Sequence, residues 1–180
     1  LLHLNGTPMK NKTFLLLRHA KSSWKNSSLR DHDRPLNKRG KEAAPRIGSL
    51  IGEQNLIPDF ILSSTALRAR TTAETVASTC RYNGPIQFDT ELYLATAEEL
   101  LRCAQIKPGP IHNRVMLVAH NPGLKDLVSS FVGKCIDFPT GALAVFKVNI
   151  NEWSELKCGS SVELINIFLP RELEQDSRSH

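Results

Sequence analysis

Short runs of apolar residues that alternate with amphipathic stretches constrain the fold of this chain more than any other feature. The clearest runs are TFLLLR (13–18), DFILSS (59–64) and RVMLVA (114–119), each of the length of one buried strand. Between them, NKRGKEAAPRIGSLIGEQ (37–54) and ALRARTTAETVASTC (66–80) repeat apolar residues at helical spacing. This alternation predicts an α/β fold with a mostly parallel sheet.

The second half of the chain continues the same alternation. It predicts a strand at 86–89, helices at 96–106 and 122–133, and strands at 141–150 and 161–169. The helix at 96–106 opens with a capping-box pattern, because Thr96 stands three residues before Glu99. The last two strands are close in sequence, which favours an antiparallel pair. We therefore expect a three-layer α/β/α sandwich with a mostly parallel central sheet and an antiparallel edge strand.

The length of 180 residues favours a single domain. We place it over residues 12–170 and expect flexible ends at 1–11 and 171–180, which are mostly polar. No apolar run reaches the roughly 18 residues that a membrane-spanning helix needs, and the first residues lack the pattern of a secretory signal. We therefore expect a cytoplasmic protein that binds no membrane, and we expect it to be a monomer.

Cysteine spacing indicates the redox compartment, and the charge indicates the class of partner. Cys80, Cys103, Cys135 and Cys158 are widely spaced, which is typical of free thiols in a reducing compartment. The net charge is +5, and residues 21–46 hold eight basic side chains against three acidic ones. Such a run usually forms a solvated face, but it can also steer an anionic partner. Aromatic residues make up only 6% and no nucleic-acid-binding motif is present, so we expect no nucleic-acid partner.

Histidines and arginines collect where the predicted strands end. Arg18 and His19 follow the first strand, Arg68 lies in the first turn of the helix after the second, and His120 follows RVMLVA (114–119). In an open α/β sheet, ligands bind beyond the carboxyl ends of the strands, so these side chains would meet at one edge. Two guanidinium groups suit a tetrahedral, doubly charged anion. The sequence therefore predicts a phosphate site.

The same cluster indicates a type of chemistry. Neighbouring cations lower the pKa of a histidine and keep its ring neutral, which leaves a nucleophilic nitrogen. A covalent phosphohistidine route needs neither a P-loop nor magnesium-binding carboxylates, and the sequence has neither after its strands. No HExxH motif or clustered Cys/His spacing is present, so we expect no metal and no organic cofactor. Each residue alone has an ordinary structural interpretation, and only their joint placement favours catalysis.

Several motifs resemble those of the histidine phosphatase superfamily. LLLRHAKS resembles its RHG signature, with Ala20 in place of the commoner glycine, while SSTALRARTTAETV and VMLVAHNPGL resemble its later arginine and second-histidine segments. DHDRPLNKRGKEAA, ELYLATAEELL and FPTGALAVF further resemble the SixA-type phosphohistidine phosphatases. The resemblance spans about residues 13–169 and implies a phosphoglycerate mutase-like fold without metal or cofactor.

The resemblance also implies roles for individual residues. His19 would be the nucleophile that takes the phosphoryl group, and Arg18, Arg68 and His120 would complete the phosphate pocket. Ser22, three residues after His19, and Asn121, directly after His120, complete our set of candidate substrate-binding residues.

One departure from the superfamily pattern bears on the substrate. Larger members usually carry an acidic residue after the third strand, which protonates the leaving alcohol, whereas Leu94 stands there in ELYLAT. An alkoxide is a poor leaving group without a proton, since water itself has a pKa of about 15.7. A phosphorylated imidazole needs less help, because the pKa of its conjugate acid is about 6.5. With no long insertion to form a lid, the expected open pocket suits phosphohistidine on another protein.

Two other functions remain open at the level of sequence. The first is a phosphomonoesterase or mutase that acts on a small phosphorylated metabolite, with Asp33 or Glu91 as the acid. The second is a non-catalytic module that binds phosphorylated ligands with the same pocket.

Two loops have both a structural and a functional interpretation. DHDRPLN (31–37) could line the mouth of the pocket or place a proton. We favour loop architecture in which Asp33 pairs with Arg34 and Asn37 begins the next helix. Thr140 and the following glycine are interpreted first as a tight turn and second as a wall of the pocket.

Overall fold

A mixed sheet forms the centre of the molecule. The computed structural model describes residues 11–158 and 162–170. Its strands are β1 (Asn11–Arg18), β2 (Phe60–Ser64), β3 (Ile86–Asp89), β4 (Arg114–Ala119), β5 (Leu143–Asn149) and β6 (Val162–Phe168). They lie in the order β3-β2-β4-β1-β5-β6. Neighbours among the first four in that order pair in parallel, whereas β5 runs antiparallel to both β1 and β6. The prediction of a mostly parallel sheet with antiparallel pairing at one edge is confirmed.

Helices cover both faces of this sheet, as predicted for a three-layer sandwich. They are α1 (Lys38–Glu53), α2 (Leu67–Thr79), α3 (Ala97–Ile106) and α4 (Gly123–Val132). The first two pack on one face, where Ile47 and Val76 join one apolar cluster. The other two pack on the opposite face, where Leu100 and Leu127 join a second cluster. Alternate residues of the central strands supply both clusters.

Local capping chemistry fixes where the helices begin and end. The Asn37 side chain accepts a hydrogen bond from the backbone N–H of Gly40 and starts α1, as predicted. Thr96 and Glu99 form the predicted capping box at the start of α3. Gly133 ends α4 in the left-handed region with a φ of 77°. The helices therefore lie within two residues of the predicted ranges.

Three further expectations concern the chain ends, the cysteines and membrane-spanning helices. The predicted loose ends at 1–11 and 171–180 lie outside the described residues, apart from Asn11, which is the first residue of β1. All four cysteines are free thiols; Cys80 and Cys103 are buried and the other two are exposed. In the described part of the chain, no helix combines the length and apolarity that crossing a bilayer requires.

The pairing of β1 with β4 positions the candidate site. Arg18 lies opposite Ala119 in the register of these two parallel strands. His19 and His120 therefore leave the sheet side by side, and the backbone N–H of His19 donates to the carbonyl of Ala119. The apolar residues 14–17 of β1 and 115–119 of β4 are fully buried, so both histidines project from a rigid base.

Candidate functional site

His19 is held in one tautomer. Its Nδ1 lies 2.8 Å from the carbonyl oxygen of Ala20, and because a carbonyl only accepts, Nδ1 carries the proton. The lone pair is then on Nε2, which accepts from the Nε–H of Arg68 at 3.3 Å. His19 is 6% exposed. The structure therefore presents a neutral, nucleophilic nitrogen.

The surroundings keep His19 neutral near pH 7. Burial is the main cause and lowers the pKa of His19 to about 4, with smaller contributions from Arg68, Arg18 and Arg34. Sequence reasoning predicted the lowered pKa from the cations alone, so the larger cause was missed. The hydrogen bond to Ala20 acts in the opposite direction, because it favours a positively charged ring.

His120 lies against His19, with ring centroids 5.0 Å apart. Its Nε2 lies 2.8 Å from the Ser64 hydroxyl, and its buried Nδ1 has no hydrogen-bond partner among the described residues. Burial, followed by the nearby His19 and Arg68, holds the pKa of His120 far below its usual range. Because buried polar atoms are usually hydrogen-bonded, this unpaired nitrogen is a candidate contact for a bound group.

Arg68 is oriented by Asp31. Its Nη1 donates to the Asp31 carbonyl oxygen at 2.6 Å, and its Nη2 donates to the Asp31 carboxylate at 2.9 Å. The same carboxylate accepts from the Tyr93 hydroxyl at 2.7 Å and from Nη1 of Arg34 at 2.7 Å. Burial raises the pKa of Asp31, but these hydrogen bonds outweigh it and hold that pKa well below its usual range. Asp31 is therefore an anionic anchor for two arginines.

Arg18 and Asn121 share one backbone acceptor. Both side chains donate to the carbonyl oxygen of Phe138 at 2.9 Å. The Arg18 Nε and the Asn121 Oδ1 are buried and have no partner in the described part of the chain. Both residues, like His120, line the same cavity.

These side chains surround a cavity of about 250 Å³ that we call the phosphate pocket. It is lined by Arg18, His19, Lys21, Ser22, Trp24, Arg34, Arg68, Leu94, His120, Asn121 and Thr140. All six candidate site residues from the sequence are in this set. No Asp or Glu among the described residues lines the cavity, so its walls are cationic and neutral. Such a composition suits a tetrahedral oxyanion.

The mouth of the phosphate pocket has an aromatic and an aliphatic side chain. Trp24 is 77% exposed and Leu94 is 52% exposed. The guanidinium of Arg34 lies over the Trp24 ring, 3.2 Å from its centroid. Leu94 adopts a positive φ of 53°, an uncommon conformation for leucine. The position that the sequence comparison assigned to a missing acid is therefore an apolar part of the wall.

The loop 31–37 contributes more to the pocket than we predicted. The expected pair of Asp33 with Arg34 is wrong: Asp33 pairs with Arg30 at 2.7 Å, and Arg34 pairs with Asp31. Residues 31–33 form a 3-10 turn, in which side chains three residues apart lie on one side. Arg34 also donates to the Ser22 hydroxyl.

The turn at Thr140 and Gly141 is both a tight turn and a wall. Gly141 adopts a φ of 81°, and its N–H lies 3.1 Å from the carbonyl oxygens of both Arg18 and His19. Thr140 lines the phosphate pocket. Both interpretations of this segment therefore hold.

Comparison with known proteins identifies the family. Residues 14–93 match the model of the histidine phosphatase superfamily, branch 1. The chain is 32% identical to the structure of a putative phosphohistidine phosphatase SixA from Agrobacterium tumefaciens, which it matches with a TM-score of 0.73 over 88% of this chain and 98% of that one. The chain belongs to the histidine phosphatase superfamily. Its structural neighbours place this histidine phosphatase in the SixA-type branch.

Two further relatives are similar to this chain in sequence or in fold. An uncharacterized chloroplastic protein of Arabidopsis thaliana is 31% identical over 81% of this chain and 70% of its own length. A SixA protein histidine phosphatase in complex with tungstate has the same fold, with a TM-score of 0.75 at 19% identity over 89% of this chain and 99% of that one.

Neither acid considered from the sequence reaches the pocket of this histidine phosphatase. Glu91 lies 3.6 Å from the Cys103 thiol and 3.5 Å from the guanidinium of Arg102, and Asp33 faces Arg30. Neither residue lines the phosphate pocket. Among the described residues, no group of three or more His, Cys, Asp or Glu side chains is placed to hold a metal ion.

Sequence reasoning missed Lys21, Trp24 and Tyr93, and it gave Asp31 and Arg34 only as a less favoured lining of the mouth. Asp31 and Tyr93 touch Arg68, while Arg34, Lys21 and Trp24 line the cavity. The basic run at 21–46 was a signal for Lys21 and Arg34, but it was interpreted mainly as a solvated face. Nothing in the local sequence indicates that Asp31 and Tyr93 meet, because 62 residues separate them.

Proposed function

We propose that this histidine phosphatase hydrolyses phosphohistidine on other proteins through a covalent intermediate on His19. One observation carries the proposal: a neutral His19 with its lone pair on Nε2 lines a cationic pocket that has no carboxylate in its described walls. Such a pocket stabilises a phosphoryl group but offers no carboxylic acid to a leaving alcohol.

In the first step, Nε2 of His19 attacks the phosphorus of the substrate phosphohistidine. The bond between phosphorus and the substrate ring breaks, and that ring, protonated on its other nitrogen, leaves as neutral imidazole. His19 then has a phosphoryl group on Nε2 and a proton on Nδ1, so its ring is positively charged. The hydrogen bond from Nδ1 to the Ala20 carbonyl stabilises this charge.

In the second step, water attacks the phosphorus of phosphorylated His19. The bond to Nε2 breaks, neutral His19 is regenerated with its proton on Nδ1, and dihydrogen phosphate is released. Neither step needs an external acid, because each leaving group is an imidazole. Arg18, Arg68 and His120 would hold the phosphoryl oxygens in both steps, and Ser22 and Asn121 would bind the substrate beside them.

The mouth of the pocket supports a protein substrate. Trp24 and Leu94 expose apolar surface at the rim, and exposed aromatic side chains are enriched where proteins meet. The Agrobacterium relative is itself described as a putative phosphohistidine phosphatase. The SixA structure that shares the fold binds tungstate, a tetrahedral oxyanion.

The test compares two classes of substrate. Purified protein is mixed with a carrier protein bearing phosphohistidine and, separately, with a panel of phosphomonoesters, and phosphate release is followed. We expect release from the carrier, a trapped phosphorylated protein on acid-free gels, and loss of both in His19→Ala. His112→Ala is the matched control, because His112 lies before β4 at the opposite end of the sheet. Faster release from a monoester, or unchanged release in His19→Ala, would contradict the proposal.

A further inference from the structure

A second cavity adjoins the phosphate pocket. It measures about 320 Å³ and is lined by Lys21, Arg39, Ala43, Asp137, Pro139, Thr140, Leu169 and Pro170. We call it the side cavity. Lys21 and Thr140 line both cavities, so a group in one lies within reach of the other.

The walls of the side cavity are fixed by the backbone. The Lys21 carbonyl accepts from the N–H of Asn37 at 2.9 Å, and a Cβ at Gly40 would clash with that carbonyl. On the other side, the backbone N–H of Gly141 donates to the carbonyl oxygens of Arg18 and His19. The side cavity is therefore held in place by the same segments that carry the nucleophile.

The charge of the side cavity is mostly positive. Lys21 and Arg39 are exposed, and neither has an ion pair with any described residue. Asp137 is the one acid in the described lining, and it interacts electrostatically with Arg18. Arg39 also lies in the first turn of α1, which has no acidic residue. The positive end of the helix dipole therefore adds to the charge of Arg39.

We infer that the side cavity binds a carboxylate side chain that lies close to the phosphohistidine of the substrate protein. The inference rests on the proposed function and adds a sequence preference to it. A carboxylate there would pair with Lys21 and Arg39 while the phosphoryl group occupies the phosphate pocket. Acidic residues near the phosphohistidine would then raise kcat/KM, and the rate would depend on Arg39 as well as on the catalytic residues.

The test uses peptides that each contain one phosphohistidine and one glutamate, placed in turn at each of the neighbouring positions. Matched peptides contain glutamine or lysine instead. Three variants are compared with wild type: Arg39→Gln, Arg39→Glu and Lys41→Gln. Lys41 is the control, because it is an exposed cation of the same helix outside the lining of the side cavity.

We expect glutamate at one position to raise kcat/KM about two- to fivefold over glutamine, the effect of a partly exposed ion pair. Arg39→Gln should remove this preference, Arg39→Glu should reverse it in favour of lysine, and Lys41→Gln should retain it. Equal hydrolysis of all peptides, or a preference lost to the same extent in Lys41→Gln, would overturn the inference and leave the proposed function standing.

Two outcomes distinguish a failure of the proposed function from a failure of the inferred carboxylate site. If folded wild-type protein hydrolyses no phosphohistidine peptide, the proposed function fails, and the inference fails with it. If Arg39→Gln instead slows only small phosphomonoesters that contain a carboxylate, the side cavity serves a metabolite, and its assignment to a protein side chain is wrong.

Discussion

At the scale of single residues, Asp31 determines how the cationic pocket is assembled. One of its carboxylate oxygens accepts from Arg34, and the other accepts from Arg68 and Tyr93. Arginine side chains are long, and a guanidinium that is already held loses less entropy when it binds an anion. Asp31 therefore acts through the arginines rather than on the phosphoryl group.

Replacing Asp31 with asparagine tests this role. We expect kcat/KM of Asp31→Asn for a phosphohistidine substrate to fall about 10- to 100-fold, the loss that corresponds to one hydrogen bond between charged groups. The affinity for inorganic phosphate, measured by titration calorimetry, should fall in parallel, because Arg68 loses its anionic partner.

Asp33→Asn is the matched control for this variant. Asp33 pairs with Arg30, whose side chain is 85% exposed, and lies outside the phosphate pocket. We expect near wild-type kinetics from it. Equal losses in both variants would mean that the whole loop, rather than Asp31, supports the site.

The buried histidines predict a pH dependence of stability. The folded protein lowers the pKa of His19 to about 4 and that of His120 further still, whereas the pKa of an unfolded histidine is about 6.5. Below about pH 6.5 the unfolded chain thus binds protons that the folded chain does not, so the free energy of unfolding falls as pH falls. From pH 7 to 5 we expect a loss of about 1 to 2 kcal/mol for each histidine.

Urea unfolding at pH 7 and pH 5 measures this loss. His120→Gln removes one of the two titrating rings, so its stability should fall less over the same range. A free energy of unfolding that stays constant between the two pH values would show that these rings titrate normally.

The convergence of Arg18, His19, Arg68 and His120 on one cavity could be predicted from sequence, but the residues that support them could not. Arg18 is the last residue of β1, His19 and His120 directly follow β1 and β4, and Arg68 lies in the first turn of α2. The sheet itself places these strand ends. Asp31 lies in a loop, and its contacts depend on a short 3-10 turn. The mistaken Asp33–Arg34 pair has the same origin, because that turn pairs residues three apart rather than neighbours.

At the scale of elements, the sequence predicts strands and helices well, because each has a strong local signal. The strands at Ile86–Asp89 and Arg114–Ala119 have the predicted bounds. Strand order has no such signal. The pairing of β5 with β6 follows from their closeness in sequence, but nothing local indicates that β5 also lies beside β1, since that pairing joins distant parts of the chain.

The crossing of α1 and α2 gives a prediction about two glycines of one helix. A Cβ at Gly48 would lie 2.6 Å from the Cβ of Thr79, whereas a Cβ at Gly52 would meet nothing within 4 Å. Gly48→Ala should therefore lower the free energy of unfolding by about 1 to 3 kcal/mol through overpacking. Thermal or urea unfolding measures this change.

Gly52→Ala is the matched control in the same helix. It should raise the free energy of unfolding by about 0.5 to 1 kcal/mol, because alanine favours the helix and has fewer unfolded conformations. If both alanines stabilised the protein, the two helices would not be in close contact at Gly48.

At the scale of the whole molecule, the excess of positive charge should attract anions to the cavities and couple anion binding to stability. The net charge is +5, and the phosphate pocket and side cavity both have cationic walls. A field of one sign over a cleft concentrates anions near it. An oxyanion that binds only the folded protein should also stabilise it.

Thermal unfolding with tungstate tests this coupling. At a concentration of about 100 times its Kd, tungstate should increase the free energy of unfolding by about 2.7 kcal/mol and raise Tm by about 5 to 10 °C. Nitrate at matched ionic strength is the control for general screening. Equal shifts with both anions would contradict a specific tetrahedral site.

The register of β1 against β4 has a consequence for how the substrate selectivity of such a protein can be changed. His19 and His120 are fixed by two buried neighbouring strands. The outer walls of the phosphate pocket and of the side cavity are instead built by segments that leave the sheet, including those around Trp24, Arg39 and Thr140. Under the proposed function, the reacting groups and the choice of substrate would therefore reside in separable parts of the chain. Exchanging the outer segments between relatives would transplant selectivity onto an unchanged reaction centre, which makes this sheet a scaffold for engineering phosphatases with chosen targets.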